Sequence, residues 1–404
     1  MPTFEEARKI ILDSIAPLGV EQVGLLDAAG RVIAEGIVAP RDLPLTDNSA
    51  MDGYAVITAD CREGARLQVT GFIPAGGEIG SAVVPGTAIK IMTGAPIPPG
   101  CDAVVPVEET KEENGVVTIK APVVQSQHIR FAGEDIAAGE TAITAGTLLR
   151  PPEIGLLASF GYAVVRVYRR ARVAILSTGD ELVNLGTPPT PGKIVNSNSF
   201  SLAAAVKEIG AEPVLLGIAQ DNKESLRTKM NEGLKADALI TSAGVSAGDL
   251  DLVRDVLADL GVRQLFWKVD MKPGGPTAFG LKGTTPVFSL PGNPVSTMIT
   301  FEEFVRPALL KMMGHTRVIK HRVSATLREE VRKKGGKVNF LRVRLERING
   351  NLVATTSGDQ NTGILKTMIR ADGVALLAKD RTSFAAGEEL LVNLLRSELE
   401  MDEV

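Results

Sequence analysis

Residues 237–261 read DALITSAGVSAGDLDLVRDVLADLG. An apolar run, a loop of small residues and a helical pattern follow one another, which is the strand–loop–helix unit of an α/β fold. The same rhythm starts upstream at RVAILSTGDEL (172–182), an apolar strand that ends in Ser177, Thr178, Gly179, Asp180 and Glu181. SFSLAAAVKEIGAE reads as a helix closing near Gly210, PVLLGIAQD as a second strand and KESLRTKMNEGLKA as a second helix. QLFWKVDMKPGGPTAFG and TPVFSLPGNPVSTMITFEEFVRPALL complete the series. Such alternation predicts a parallel, doubly wound sheet. Ligands of these sheets bind beyond the carboxyl ends of the strands, so chemistry is expected in the loops 177–181, 241–251, 272–277 and 290–296.

The flanks have a different texture. Thr3 to Glu6 is a capping box, and Ala7, Ile11 and Ile15 recur at helical spacing, which predicts a helix to about Ile15. Residues 65–150 are dense in Gly, Pro and Val and form short alternating runs, the pattern of a turn-rich β domain. Asn114-Gly115 there, and Asn349-Gly350 near the end of the chain, are type I′ hairpin signals. PPEIGLLASFGY (151–162) predicts a short helix with proline in its first turn. The last stretch, from HRVSATLRE to EELLVNLL, predicts a small separate β domain.

Composition narrows the function. The 404 residues are 44% hydrophobic and 23% charged, as in a soluble protein of several domains. Aromatics are 4% and the net charge is −4, which argues against base-stacking or general nucleic-acid binding. Two cysteines, Cys61 and Cys101, make neither a disulfide framework nor a thiolate cage, and three histidines make a zinc site improbable. Any metal is expected to be a hard, oxygen-bound ion such as Mg²⁺. Glu5 and Glu6 replace the positive start of a signal peptide and no long apolar span occurs, so a cytoplasmic protein without membrane contact is expected.

Several stretches carry candidate chemistry. TDNSAMDGYAV (46–56) gathers Asp47, Asn48, Ser49 and Asp52 around Gly53, although an Asx-rich turn has the same composition. Thr93-Gly94 fits a β-turn, and Glu134 and Asp135 fit an exposed acidic turn. Gly179 admits a ligand close to the backbone, and Asp180 and Glu181 at a strand end can hold Mg²⁺ against phosphate oxygens. SAGVSAGDLD (242–251) offers N–H groups and serines, then Asp249, which could cap the next helix, and Asp251, one turn in. Lys268, Asp270 and Lys272 share a strand face, as do Arg342 and Arg344; each set would also suit a solvated face. LPGNPVS (290–296) sets Pro291 and Pro294 around Gly292 and Asn293 with no cation at all.

DNSAMDGYAV, IMTGAPIP, GED, STGDEL, SAGVSAGD.D, FWKV..KPG.P.AFG and LPGNPVS occur in this order. Together they resemble the molybdopterin molybdenumtransferase family, that of bacterial MoeA and the gephyrin E domain, over essentially the whole chain. The resemblance implies an α/β multidomain protein. A mixed, partly helical dimerisation domain would comprise residues 1–39 and 138–170, with an inserted β domain at 40–137. A molybdopterin-binding α/β domain would follow at 171–318, then a C-terminal β-barrel at 319–404. It also implies a homodimer.

The implied reaction places molybdenum from molybdate on adenylylated molybdopterin, with Mg²⁺-assisted release of AMP. By resemblance, Asp52, Thr93, Asp135, Glu181, Asp221 and Asp251 would be catalytic, with Glu181, Asp221 and Asp251 holding the metal. Ser177, Thr178, Gly179, Gly244, Ser246, Lys268, Lys272, Pro291, Pro294, Ser296, Arg342 and Thr362 would contact substrate or oxyanion. An upstream adenylyltransferase is the implied partner. The family motif Lys-Pro-Gly-Lys-Pro is here Lys272-Pro273-Gly274-Gly275-Pro276, one cation short, with Arg342 and Lys337 as candidates to replace it. Thr362 stands where a serine is usual. Two other readings compete: a molybdopterin adenylyltransferase, and a non-catalytic dimeric scaffold.

Overall fold

The structure, a computed structural model, describes residues 1–244 and 250–395, with the side chains of Leu250 and Asp251 excepted. The chain divides into two compact units: Met1–Ala34, Gly146–Arg150 and Val164–Val404 in one, Glu35–Ala145 and Pro151–Ala163 in the other.

The larger unit holds the α/β sheet. Its strands are β1 (Arg172–Thr178), β2 (Glu212–Ala219), β3 (Ala238–Ser242), β4 (Arg263–Phe266), β5 (Ala278–Lys282) and β6 (Thr285–Leu290), in the spatial order β2-β1-β3-β6-β5-β4. β1 is buried along Val173–Thr178, as a strand covered on both faces requires. Val173 and Ile175 face Leu202 and Val206 of the helix Asn198–Glu208, and Val295 and Ile299 of Pro294–Thr300. Ala174 and Leu176 face Leu226 and Met230 of Lys223–Gly233, and Val253 and Val256 of Leu250–Asp259. Helices therefore cover both faces, as expected of a doubly wound sheet.

The sheet is mixed rather than wholly parallel. β5 runs antiparallel to both β6 and β4. Only Gly283 and Thr284 join β5 to β6, a link long enough for a hairpin and far too short for a parallel crossover. β1 lies between β2 and β3, so the chain leaves β1 to one side and returns on the other. This reversal of strand order opens the crevice in which doubly wound sheets bind their ligands.

The N-terminal helix Phe4–Asp13 begins with the expected capping box, Thr3 Oγ1 accepting from Glu6 N and Glu6 from Thr3 N. It stops two residues before Ile15, and buries Phe4, Ala7 and Ile11 in the core of the α/β unit. The C-terminal strands close on themselves. Val338–Ile348 pairs with Asn351–Thr356 and Gly373–Leu377, and Arg322–Leu327 pairs with Asn351–Thr356 and Glu389–Leu394. Glu389–Leu394 meets Gly373–Leu377 and completes a five-stranded barrel. Asn349 and Gly350 turn its first hairpin with φ of 49° and 80°, as type I′ demands.

The smaller unit is built on a six-stranded sheet, with Gly53–Val56 between Ala103–Pro106 and Thr87–Ile91. A Cβ at Gly53 would collide with the Val105 carbonyl, so only glycine allows these strands to pack so closely. Asn114-Gly115 makes the second expected hairpin, and Pro151–Ser159 is the expected short helix.

Candidate functional site

A cleft of about 400 Å³ lies at the carboxyl ends of β1, β3 and β6. Ser177, next to last in β1, lines the cleft, donating to Asn196 Oδ1 at 2.9 Å and meeting Ser199 Oγ at 2.8 Å. Asn196 Nδ2 donates to the same Ser199 hydroxyl at 2.9 Å. Asn198 Nδ2 spans two loops, donating to Ser242 Oγ at 2.9 Å and to the Gly292 carbonyl at 2.7 Å. These contacts tie the ends of β1, β3 and β6 into one neutral polar wall. Asn196 and Asn198 were not among the expected site residues, whereas Ser242 is the first serine of the expected SAGVSAGDLD loop. VNSNS (195–199) just before a helix was the available signal, but it carries no charge.

Backbone shape explains the small residues. Ala243 has φ 74° and Gly244 φ 71°. The left-handed alanine is a strained position of the kind that clusters at binding sites. A methyl on Gly244 would lie 2.8 Å from Thr178 Oγ1 and 2.6 Å from Val253, so no side chain fits there. Thr178 Oγ1 is itself buried, without a partner among the described residues. On the far wall Pro291 and Pro294 line the cleft, and Thr297 Oγ1 fastens the loop by donating to the Pro291 carbonyl at 2.6 Å. Ser296 is buried and lies outside the cleft lining.

Carboxylates mark one rim. Asp180 N donates to Asp221 Oδ2 at 3.2 Å and Asp221 N to Asp180 Oδ1 at 3.1 Å, a reciprocal lock between the ends of β1 and β2. Gly179, at φ 139°, leaves its space to the Glu181 carboxylate, which lines the cleft. Among the described residues, no three His, Cys, Asp or Glu side chains converge as a metal cage. Ser246 and Asp249 lie outside the described residues, and for Asp251 only the helical backbone is described.

Cations sit toward the barrel. Lys268 and Lys272 are exposed, and Lys272 is in register with Asn339 of the barrel strand Val338–Ile348. Lys272 and Pro273 line a second cavity of about 570 Å³ together with Gln360 and Thr362. Thr362 Oγ1 accepts from Asn293 Nδ2 at 3.0 Å, which joins the barrel loop to the Pro291–Pro294 turn.

Arg342 is 1% exposed, unlike the solvated edge that strand alternation allowed. Its Nη2 donates to the carbonyls of Asp359 at 3.0 Å and Asn361 at 3.3 Å, and its Nε has no partner among the described residues. Burial holds this guanidinium below its ordinary pKa.

The smaller unit carries its own cluster. Asp52 Oδ1 accepts from both the N–H and the hydroxyl of Thr93, each at 2.7 Å. The backbone bond, then the hydroxyl bond, holds this exposed carboxyl below its ordinary range. Asp47 Oδ1 accepts from Ala132 N at 2.8 Å, anchoring the turn that carries Asp135, whose own N–H donates to the Leu43 carbonyl. The Asp135 side chain is exposed.

Three family models cover most of the chain. They are described as the MoeA N-terminal region (domains I and II) at residues 2–161, a probable molybdopterin binding domain at 174–311 and the MoeA C-terminal region (domain IV) at 324–395. The chain is 38% identical to molybdopterin molybdenumtransferase 2 of Mycobacterium tuberculosis over 97% of its own length and 99% of the relative's. It is 36% identical to the molybdopterin molybdenumtransferase of Haemophilus influenzae over 97% and 98%. A crystal structure of the molybdopterin biosynthesis MoeA protein of Pyrococcus horikoshii superposes with a TM-score of 0.82 at 32% identity, covering 98% of this chain and 100% of that one. With the strand-end cleft, the barrel and the motif loops in place, the chain belongs to the molybdopterin molybdenumtransferase family.

Proposed function

We propose that the protein inserts molybdenum, taken from molybdate, into adenylylated molybdopterin and releases AMP. One observation carries this reading beyond kinship. Among the described residues Arg342 keeps its guanidinium buried with carbonyls for hydrogen-bond partners, and the Asn293–Thr362 bond ties its barrel loop to the wall of the cleft. The Asp359 charge offsets that burial only in part; a buried cation is costly, and an oxyanion would supply further negative charge. Lys272 and Lys268 add cations nearby in sequence, with Thr362 as a neutral donor and the buried Ser296 on the adjoining helix.

The molybdopterin part would occupy the cleft between β1 and β3. Ser177, Thr178, Gly179 and Gly244 give it polar groups and close backbone approach, and Pro291 and Pro294 give a rigid wall. Ser246, beyond the described residues, extends that loop. Asp52, Thr93 and Asp135, in the smaller unit, would be further catalytic residues. Attack on phosphorus by water or a molybdate oxygen breaks the phosphoanhydride and frees AMP, without a side-chain nucleophile.

The carboxylates suit Mg²⁺, which is commonly held by one or two of them plus substrate phosphates. Glu181 and Asp221, with Asp251, would hold it, and when bound it neutralises the phosphoanhydride oxygens. A homodimer, a cytoplasmic location and the four-domain division given above complete the proposal. No helix among the described residues is long and apolar enough to cross a membrane.

Incubation with adenylylated molybdopterin, Mg²⁺ and molybdate is expected to release AMP only when molybdate is present. Molybdate-independent AMP release, or none, would reject the reading.

A further inference from the structure

The loop Lys272–Pro276 borders both cavities, the cleft through Pro276 and the barrel-side cavity through Lys272 and Pro273. An anion held there needs cations, and the loop itself offers only Lys272. A methyl placed on Gly275 would lie 3.8 Å from Lys337 Nζ. The ammonium of a barrel residue thus stands near Gly275, one of the two glycines of the loop.

The placement follows from the fold. Met271 and Lys272 pair in parallel with Val338 and Asn339, which brings the start of the barrel strand alongside the loop. Residue 337 immediately precedes that pairing. Gly336, at φ 92°, turns the chain into it, with its N–H on the Lys379 carbonyl at 2.8 Å, and Lys333 Nζ donates to the Lys337 carbonyl at 3.1 Å. Lys337 is exposed, and its ammonium has no hydrogen bond or ion pair among the described residues. Gly275 is itself well fixed, its carbonyl accepting from Val269 N and Thr277 N, each at 2.9 Å. Its φ is not in the left-handed region. Glycine here therefore answers no demand of φ, although a Cβ would first meet the Met271 carbonyl at 3.2 Å and the Val269 carbonyl at 3.6 Å.

We propose that Lys337 supplies a further cation of the oxyanion site on the Lys272–Pro276 loop, standing from the barrel beside Gly275. Arg342, the buried cation of the molybdate reading, is fixed on the carbonyls of Asp359 and Asn361 in the barrel, and Lys337 would add to it on the loop side. The proposal rests on the reading of this region as a molybdate site. Barrel and loop then bind the anion jointly, so that the site depends on the register between them.

The test is titration calorimetry of molybdate alone into the full chain at low ionic strength. Removing one partly solvated cation should weaken binding by about tenfold. Lys337→Ala is expected to show that loss. Lys337→Arg should stay close to wild type, and Gly275→Lys combined with Lys337→Ala should recover most of it. If Lys337→Ala binds like wild type while Lys272→Ala is weakened, the proposal fails and the molybdate site stands. If both variants bind like wild type, or wild type does not bind, the site reading fails and the proposal with it. A loss that neither arginine nor Gly275→Lys restores would assign the effect to the turn at Gly336 and overturn the role of the ammonium.

Discussion

Asp52 is fully exposed, yet one of its carboxylate oxygens receives two bonds from a single residue. The lowered pKa keeps the side chain ionised further into acid than an unfolded chain would allow. Stabilisation from this pair is present above the ordinary carboxylate pKa and is lost as pH falls through the lowered one. Thr93→Val removes the hydroxyl and keeps the N–H. The Asp52 titration, followed by carboxyl carbon NMR, is expected to move up toward the unfolded value. An unmoved midpoint would mean that the hydroxyl contributes nothing. At this scale the sequence was informative about identity and blind to pairing. Both residues stand in recognisable motifs, but the bond joins positions 41 apart in the chain. Arg342 shows the opposite failure: strand alternation fitted a solvated face, and only barrel closure buries it.

At the scale of elements, local rules were the legible ones. The two Asn-Gly hairpins, the capping box and the proline-led helix each depend on a few adjacent residues, and each formed where expected. The antiparallel β5 and the ring of barrel strands depend on which distant strand becomes a neighbour, and no local pattern states that. The cleft wall was missed for a related reason. Asn196 and Asn198 acquire meaning only when their helix start is set against β3 and β6. Asn198→Ala would leave the Ser242 hydroxyl and the Gly292 carbonyl without that donor. A loss of about 1–2 kcal/mol is expected for such bonds, read from urea unfolding, with faster amide exchange in the Gly292 loop. A variant as stable as wild type with unchanged exchange would show that the two loops hold themselves.

Across the larger unit, three parts of the chain meet at one buried carboxyl. Glu303 lies in the π-helical turn Phe301–Val305 and is 7% exposed. Asn393 Nδ2, on the last barrel strand, donates to it at 2.6 Å, and Arg8, on the N-terminal helix, stands 3.6 Å away. Arg322, which bonds Asn393 Oδ1, and Glu302 also bear on its charge. Burial outweighs the Asn393 bond and the Arg8 charge, and pushes the carboxyl above its ordinary pKa. A raised folded-state pKa favours the fold when the group is protonated. Its contribution is therefore complete below the unfolded pKa and is lost as pH rises through the folded one. Glu303→Gln keeps an acceptor for Asn393 and removes the ionisation. The variant is expected to match wild type in acid, below the ordinary carboxylate pKa, and to be more stable at neutral pH, with a flatter dependence between them. Urea unfolding at a series of pH values measures this. Parallel curves for the two proteins would mean that Glu303 does not change protonation on folding. A variant less stable than wild type at neutral pH would mean that the Arg8 charge outweighs the cost of burial.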